Sequence, residues 1–214
     1  MTEGLPGWRT AASRVLALLR TRNALAMGPG LGTESETRSA VAAILSKRRA
    51  PCVLDADGLN AFATDRRSRS RLRAGEFPLV ITPHPGEAGR LLDRDPASVQ
   101  AARLEVALEL AATTGAVTVL KGRRSIVAHP GGRAAFVASG NPGMATAGTG
   151  DALTGVIGAL LGRGMAAFDA ARLGTYVHGA AGDAAAECYG YEGLIAGDLI
   201  DALPDAWRAI TALR

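Results

Sequence analysis

The distribution of apolar residues predicts short buried strands separated by longer amphipathic helices. A strand that is buried on both faces needs no polar alternation, so a brief apolar run that ends at a polar or glycine-rich turn is read as a strand. Four such runs precede a hairpin around Pro130–Gly132. The predicted strands are Asn23–Met27, Pro51–Asp55, Pro78–Thr82 and Val117–Lys121, with hairpin strands Ser125–Ala128 and Ala134–Ala138.

The other periodic segments predict helices. Asp95 and Pro96 provide an N-cap and a proline at the first helical position, and Gly115 ends the pattern, so we expect one long helix between them. The predicted helices are a first one around Leu16–Leu19, then Thr33–Lys47, Ala97–Thr113, Gly150–Leu161, Ala166–Glu187 and Asp198–Leu213, with breaks at Gly162, Gly164 and Gly190–Gly193.

The order of these elements predicts the fold class. Strands alternate with helices and give way to a helical final third, which indicates an α/β fold with an open, mostly parallel sheet and helices on both faces. The chain has 214 residues, 48% apolar and 4% aromatic, which suits small-residue helices packed on a sheet. No linker or repeat divides the sequence, so we expect a single domain over residues 1–214.

Charge and cysteine content narrow the class of protein. The net charge of +4 comes from scattered arginines and one denser run, Arg66–Arg73, which is typical of a solvated surface segment. Without interleaved aromatic residues or a recognition motif, this charge does not predict nucleic-acid binding.

No apolar run has membrane-spanning length and the N-terminus lacks signal character, so no membrane association is expected. Cys52 and Cys188 fit no metal-ligand spacing and predict reduced, buried thiols in a cytoplasmic protein.

The segment from Asn141 to Asp151, NPGMATAGTGD, runs directly into an apolar helical pattern. A glycine-rich turn that opens a helix presents unpaired N–H groups and the positive end of the helix dipole, which together bind anions such as phosphate. A carboxylate beside such a cradle is electrostatically unfavourable unless it takes part in chemistry. Asp151 is therefore the first candidate for a general base.

Four further loops follow the first four predicted strands: GPGLG, DADGLN, TPHPGE and LKG. Ligands of open α/β sheets bind at the carboxyl ends of strands, so these loops predict one shared crevice. The glycines of Gly28–Gly32 permit either close ligand approach or a simple turn, and their spacing departs from a dinucleotide fingerprint. Asp55, Asp57 and Asn60 suit a water-mediated metal ion or a hydroxyl, although helix N-capping is favoured for Asp57.

The later loops carry residues with one structural and one functional interpretation. His84 lies between two prolines at a strand end, which favours a ligand contact. Glu87 either stabilises the first turn of the next helix or contacts substrate or metal-bound water. Lys121 brings an ammonium to the crevice, where it suits a phosphate or a nucleotide. For His178 and Asp183, on a helix rich in small residues, close helix packing is the default interpretation.

In their order and spacing, six segments closely resemble the nucleotide-dependent NAD(P)H-hydrate dehydratases, a branch of the ribokinase-like superfamily. The resemblance extends from about residue 24 onward. GTGD alone would admit many sugar and vitamin kinases, whereas PHPGE together with NPGMATAGTGD is specific to the repair enzymes. The segments are GPGLG, VLDADGLN, ITPHPGEAGRL, VLKG, NPGMATAGTGDALTGVIGALL and YVHGAAGDAAAE.

The resemblance implies a metabolite-repair lyase that dehydrates the (6S) hydrates NADHX and NADPHX at the expense of ADP or ATP. Asp151 would deprotonate the substrate hydroxyl for attack on the terminal phosphoryl group, and the phosphorylated intermediate would then eliminate phosphate. Mg²⁺ would bridge the phosphates, and no side chain is assigned as a metal ligand. The resemblance assigns Gly30, His84 and Asp151 to the substrate, and Lys121, Gly122, Arg123, Arg124, Ser125 and Gly150 to the nucleotide. We add Glu87 of the PHPGE loop to the substrate site, and Gly148 and Thr149 of the glycine-rich helix start to the nucleotide site.

Members of the family usually carry more sequence before GPGLG, including a glycine-rich strand–turn–helix unit that lines the substrate site. Either the domain is truncated at its N-terminus and lacks one or two strands, or its sheet is completed differently. We expect a truncated domain that is less stable than a full-length relative and binds substrate weakly. The small-residue C-terminal helices suit subunit packing as well as internal packing, and we expect a homo-oligomer. Two alternatives stay open: a kinase for a vitamin-like or sugar-like molecule, and a non-catalytic nucleotide-binding remnant.

Overall fold

A six-stranded sheet forms the centre of the computed structural model, which describes residues 8–212. The strands lie side by side in chain order, and their pairing is parallel through the first four and antiparallel for the last two. This confirms the predicted open, mostly parallel sheet. The strands are β1 (Leu25–Met27), β2 (Cys52–Leu54), β3 (Leu79–Ile81), β4 (Val117–Leu120), β5 (Ile126–Ala128) and β6 (Ala134–Phe136).

Helices connect the parallel strands and make up most of the C-terminal third. They are α1 (Trp8–Leu18), α2 (Ser35–Lys47), α3 (Ala56–Asn60), α4 (Arg66–Ser70), α5 (Pro85–Leu92), α6 (Pro96–Ala101), α7 (Arg103–Thr114), α8 (Thr149–Gly162), α9 (Ala167–Gly193) and α10 (Ala196–Thr211), with short 3₁₀ turns at Leu19–Thr21 and Pro142–Met144.

Strands β2 to β5 are mostly apolar and buried on both faces of the sheet. Leu54 of β2 belongs to a buried cluster with Ile44 of α2 and Leu110 of α7. Its neighbour Val53 belongs to a second cluster with Ile157 of α8. Because successive residues of a strand point to opposite faces, burial on both sides explains why the strands read as unbroken apolar runs.

One predicted helix is in fact two. The segment Ala97–Thr113 leaves helical geometry at Ala102, where φ is −129° and ψ is 45°. Arg103, the next residue, donates hydrogen bonds to the carbonyl oxygens of Leu120, at the end of β4, and of Arg123, in the loop that follows. The break between α6 and α7 therefore coincides with a tertiary contact that supports this loop.

The C-terminal helices follow the prediction more closely. A non-helical residue, Gly190 with φ 71°, interrupts α9 within the predicted break at Gly190–Gly193. The described part of the last helix ends at Thr211, and the predicted end at Leu213 lies outside the described residues.

The two cysteines are free thiols in different environments. Cys52 is buried in β2, and burial raises its pKa to about 12. Cys188 is exposed, so the prediction of a buried thiol is wrong there, because residues 187–193 at the end of α9 are all exposed to solvent. Within residues 8–212, no helix combines the length and apolarity needed to cross a membrane.

Candidate active site

A buried ion pair joins the ends of β2 and β4. The side chain of Asp55 is 1% exposed, and the ammonium of Lys121 donates to its Oδ1 over 2.7 Å. The hydroxyl of Thr154, in α8, donates to Oδ2 over 2.9 Å. A carboxylate withdrawn from water requires such partners, since an unpaired buried charge is strongly destabilising. These contacts therefore tie α8 to the carboxyl edge of the sheet.

The PHPGE loop starts α5 with reciprocal capping. His84 Nδ1 accepts hydrogen bonds from the N–H groups of Gly86 and Glu87, at 3.0 and 3.4 Å. Glu87 Oε2 in turn accepts from the N–H of His84, at 2.8 Å. Because Nδ1 accepts, the proton of the neutral ring sits on Nε2, 3.5 Å from Glu87 Oε1. Burial is the main cause that lowers the pKa of His84, which favours this neutral form.

Glu87 also lies close to the buried pair of Asp55 and Lys121. Its side chain is 5% exposed, and Oε2 lies 3.8 Å from Lys121 Nζ. Glu87 therefore acts at the start of α5, as one of its two sequence interpretations proposes, and it connects His84 electrostatically to the Asp55–Lys121 pair.

A cavity of about 700 Å³ opens beside these groups. Its walls come from the PHPGE loop, the loop after β4, the segment before α8, the first turn of α8 and the middle of α9. This size is within the range of small-molecule sites. The lining consists of His84, Pro85, Lys121–Ser125, Ser139–Pro142, Met144–Thr146, Thr149, Gly150, Leu153, Thr175, His178 and Gly179.

The start of α8 faces this cavity. Thr149 and Gly150 in its first turn line the cavity, and N–H groups in a first helical turn have no partner within the helix. The positive end of the helix dipole is therefore available to an anionic ligand. Asp151, the next residue, has an exposed side chain.

His178 fixes this helix start from α9. Its buried ring lines the cavity, and Nε2 lies 2.8 Å from the carbonyl oxygen of Thr149. A carbonyl only accepts, so Nε2 carries the proton. Burial lowers the pKa of His178, and the neutral ring therefore donates. The Thr149 hydroxyl donates in turn to the carbonyl of Met144, over 2.8 Å.

The segment before α8 is anchored on α9 as well. Asn141 Nδ2 donates to the carbonyl of Gly182 and to Asp183 Oδ1, at 2.9 and 3.0 Å. Asp183 Oδ2 accepts from the N–H of Gly140. A Cβ at Gly182 would lie 2.3 Å from the sulfur of Met144, so a larger residue there would displace the Met144 side chain that lines the cavity. Asp183 thus holds a wall of the cavity in addition to lying on a packed helix.

The structure gathers most of the predicted site residues around one cavity. Eight of them line it: His84, Lys121, Gly122, Arg123, Arg124, Ser125, Thr149 and Gly150. The other four do not: Glu87 lies behind the ion pair, Gly148 precedes α8, Asp151 follows Gly150, and Gly30 lies in the exposed turn after β1.

The favoured interpretation of Asp57 as an N-cap is wrong. Helix α3 begins at Ala56, so Asp57 lies inside its first turn. Its Oδ2 accepts from the N–H of Gly32 over 2.9 Å, and Oδ1 accepts from the amide of Asn60 over 3.4 Å. Asp57 therefore holds the glycine-rich turn against α3.

Sequence reasoning missed Thr154 and gave His178 a packing role. Gly150 and Thr154 are four positions apart on α8, so their shared helix face was a signal that Thr154 points toward the same site. A buried imidazole also needs a partner, which was a signal for His178. Neither signal identifies the partner, because Asp55 and Thr149 come from distant parts of the chain.

Solved structures identify the class of protein. A ribokinase-like superfamily protein from Enterococcus faecalis matches 95% of this chain and 69% of its own chain, with a TM-score of 0.77 and 24% identity. An ADP/ATP-dependent NAD(P)H-hydrate dehydratase from Bacillus subtilis, co-crystallised with ATP/Mg²⁺, matches 95% of this chain and 69% of its own, with a TM-score of 0.78 and 32% identity. The fold is therefore ribokinase-like.

Sequence comparison narrows the class further. The NAD(P)H-hydrate dehydratase family profile matches residues 1–205. A bifunctional NAD(P)H-hydrate repair enzyme from Moorella thermoacetica is 47% identical over 200 residues, which cover 94% of this chain and 37% of that protein. The chain belongs to the NAD(P)H-hydrate dehydratase family, and it spans just over a third of that bifunctional relative.

Proposed function

We propose that this chain dehydrates NADHX and NADPHX back to NADH and NADPH, using ADP or ATP and releasing phosphate. The observation that carries the proposal is the start of α8, where Thr149 and Gly150 face a cavity lined by Lys121 and the Asp151 carboxylate comes next. An anion-binding helix start beside a base meets the needs of phosphoryl transfer, which depends on alignment and charge stabilisation. The activities stated for the Bacillus and Moorella relatives support the same reaction.

In the first step, Asp151 accepts the proton of the substrate hydroxyl. The hydroxyl oxygen attacks the terminal phosphorus, and the bond from that phosphorus to the leaving nucleotide breaks. The leaving group is AMP when ADP is the phosphoryl donor, and ADP when ATP is the donor. The hydrate becomes a phosphate ester. The exposure of Asp151 leaves its carboxylate accessible to a substrate hydroxyl.

In the second step, the C–O bond of the ester breaks and phosphate leaves. The neighbouring carbon loses a proton, and the double bond of the dihydronicotinamide ring is restored. We assign Gly30, His84 and Glu87 to the hydrated cofactor. His84 offers Nε2–H as a donor, because Nδ1 accepts from the N–H groups of Gly86 and Glu87 at the start of α5.

The nucleotide occupies the cavity in this proposal. The loop Lys121–Ser125 and the helix start Gly148–Gly150 surround its phosphates with cationic groups and N–H donors. Mg²⁺ supplies charge neutralisation at the phosphates when bound. Among residues 8–212, no group of three or more His, Cys, Asp or Glu side chains is placed to hold a metal ion.

Turnover of the hydrate tests the proposal directly. Purified chain is mixed with NADHX, with or without ADP or ATP, and the absorbance of reduced nicotinamide and the released phosphate are followed. We expect equal amounts of NADH and phosphate, formed only with nucleotide. A stable phosphorylated product without NADH would instead identify a kinase, and nucleotide binding without either product would identify a non-catalytic domain.

The role of Asp151 is tested by Asp151→Asn, which we expect to lower the turnover number by about 10²- to 10⁴-fold, the usual contribution of a general base. Asp169→Asn is a matched control, since Asp169 lies in the first turn of α9 and is exposed. The control keeps parental turnover. Near-parental turnover in Asp151→Asn would exclude Asp151 as the base.

We also infer a homo-oligomer in the cytoplasm. Tyr189, Tyr191, Ile195 and Ile200 are 59%, 55%, 59% and 49% exposed and follow one another from α9 into α10, so they form a candidate subunit surface. The free thiols suit a reducing compartment. Light scattering tests the assembly, and a monomeric mass at micromolar concentration would exclude it.

A further inference from the structure

Asp55 connects three parts of the fold that meet at the cavity. It follows β2, its Oδ1 accepts from Lys121 after β4, and its Oδ2 accepts from Thr154 in α8. Both oxygens are thus used by side chains from other elements. A carboxylate so deeply buried and so fully bonded has one available orientation, because any other would leave the charge unpaired.

Lys121 has further hydrogen-bonding capacity. An ammonium has three N–H groups, and among residues 8–212 the structure gives it one acceptor within hydrogen-bond distance, Asp55 Oδ1. Glu87 Oε2 lies farther away, at 3.8 Å. The Lys121 side chain is 20% exposed and lines the cavity, so a ligand there has access to the remaining donors.

Gly150 brings the ammonium next to the start of α8. A Cβ at Gly150 would lie 3.5 Å from Lys121 Nζ and 3.6 Å from Asp55 Oδ2. Both distances are ordinary van der Waals contacts, so the ion pair lies directly against the first turn of the helix. The charge of Lys121 and the N–H groups of that turn therefore converge on one place.

We propose that Asp55 is a positioning residue that holds Lys121, with Thr154, so that its ammonium binds the terminal phosphate of the nucleotide. A lysine side chain has four rotatable bonds, and without a fixed partner its charge would spread over many positions. Asp55 limits it to the position beside Gly150. This inference rests on the proposed function only in taking the ligand of the cavity to be a nucleoside di- or triphosphate.

Nucleotide affinity tests this role without turnover. We measure AMP, ADP and ATP binding by calorimetry for the parent, Thr154→Val, Asp55→Asn and the control Thr118→Val. Thr118 is a buried threonine of β4 whose hydroxyl has no partner among residues 8–212, so the control makes the same substitution without removing a hydrogen bond seen there. Thermal unfolding verifies that each variant is folded, and Thr154→Val alone carries the test if Asp55→Asn does not fold.

The parent should bind ADP and ATP more tightly than AMP. We expect Thr154→Val and Asp55→Asn to reduce this advantage about tenfold, the effect of losing one charge-assisted contact, with AMP affinity unchanged. Thr154→Ser, which keeps the hydroxyl, should restore most of the advantage, and Thr118→Val should match the parent.

Three results would overturn the role of Asp55: no advantage of ADP or ATP over AMP in the parent, an undiminished advantage in the folded variants, or an equal loss for all three nucleotides. If the parent shows the predicted affinities but does not convert NADHX, the proposed reaction fails while the positioning role holds. Failure of the affinity pattern in a chain that does convert NADHX rejects the positioning role alone.

Discussion

His178 Nε2 donates a hydrogen bond to the carbonyl oxygen of Thr149, 29 positions earlier in the chain and 2.8 Å away. Carbonyl groups in the first turn of a helix normally accept from the residue four positions later. This extra bond comes from another helix, and it fixes α8 relative to α9 at the point where both line the cavity.

Two substitutions of His178 distinguish the contribution of this hydrogen bond from that of side-chain packing. We expect His178→Leu, which fills similar space without a donor, to lower turnover by about tenfold and stability by about 1 kcal/mol. His178→Gln carries an N–H group at a similar distance along its side chain, so it should retain most of the turnover and most of the stability. Equal turnover in the two variants would show that the donor does not matter. Chemical denaturation and steady-state kinetics provide the two measurements.

The stability of the protein should decrease in mild acid. Burial lowers the pKa of His178, and it also lowers that of His84. Below about pH 6.5 the unfolded chain therefore binds more protons than the folded chain, and the free energy of unfolding falls as the pH falls. His84 contributes less because its ring is half exposed.

Denaturant titrations at several pH values between about 5 and 7 measure this effect. The dependence on pH should be shallower in His178→Leu than in the parent, since that variant has lost one of the responsible groups. An unchanged slope would mean that His178 titrates alike in the folded and unfolded chains.

Thr118→Val should stabilise the fold. The Thr118 side chain is fully buried in β4, and within the described part of the chain its hydroxyl has no hydrogen-bond partner. Valine has almost the same shape and carries no polar atom, so the substitution removes a desolvation cost of about 1 kcal/mol. A rise in the unfolding midpoint with unchanged turnover would agree with this, and a fall would indicate that the hydroxyl has a partner in solution.

Gly28 and Gly30 should respond differently to alanine although both have positive φ, 141° and 70°. A Cβ at Gly28 would lie 1.8 Å from the carbonyl oxygen of Asp55, so Gly28→Ala must displace the backbone beside the ion pair. At Gly30 no atom lies within 4 Å of such a Cβ.

We expect Gly28→Ala to lower stability by more than about 2 kcal/mol and Gly30→Ala by about 1 kcal/mol, the latter from backbone strain alone. If Gly30 contacts the hydrated cofactor, Gly30→Ala will also raise KM for NADHX with little change in KM for the nucleotide. Equal stability of the two variants would contradict the difference in available space.

The sheet could be predicted from the sequence because burial on both faces leaves a strong local signal. Each predicted strand contains the observed one, as in Val117–Lys121 for β4 and Pro78–Thr82 for β3. The break at Ala102 could not be predicted, because Arg103 bonds to carbonyl groups 17 to 20 positions later. No local propensity records such a contact.

The candidate site was predictable in outline for a similar reason. Glycine-rich loops at strand ends identify where a ligand binds, and the start of α8 is visible in the sequence itself. The pairing of side chains inside the site could not be predicted. Lys121 pairs with Asp55 across 66 positions, and Thr154 reaches the same carboxylate across 99. Such pairs are fixed only once the order of the strands is known.

That strand order, β1 to β6 without a crossing, also has a consequence for how the chain folds. Each of the strands β2 to β6 pairs with one already synthesised, so this part of the sheet can grow in a single direction as the polypeptide emerges from the ribosome. The Asp55 carboxylate is therefore made long before Lys121 and Thr154. Its charge can be paired only after β4 and α8 have been synthesised. We expect the partly synthesised chain that ends before β4 to be the species most vulnerable to proteolysis.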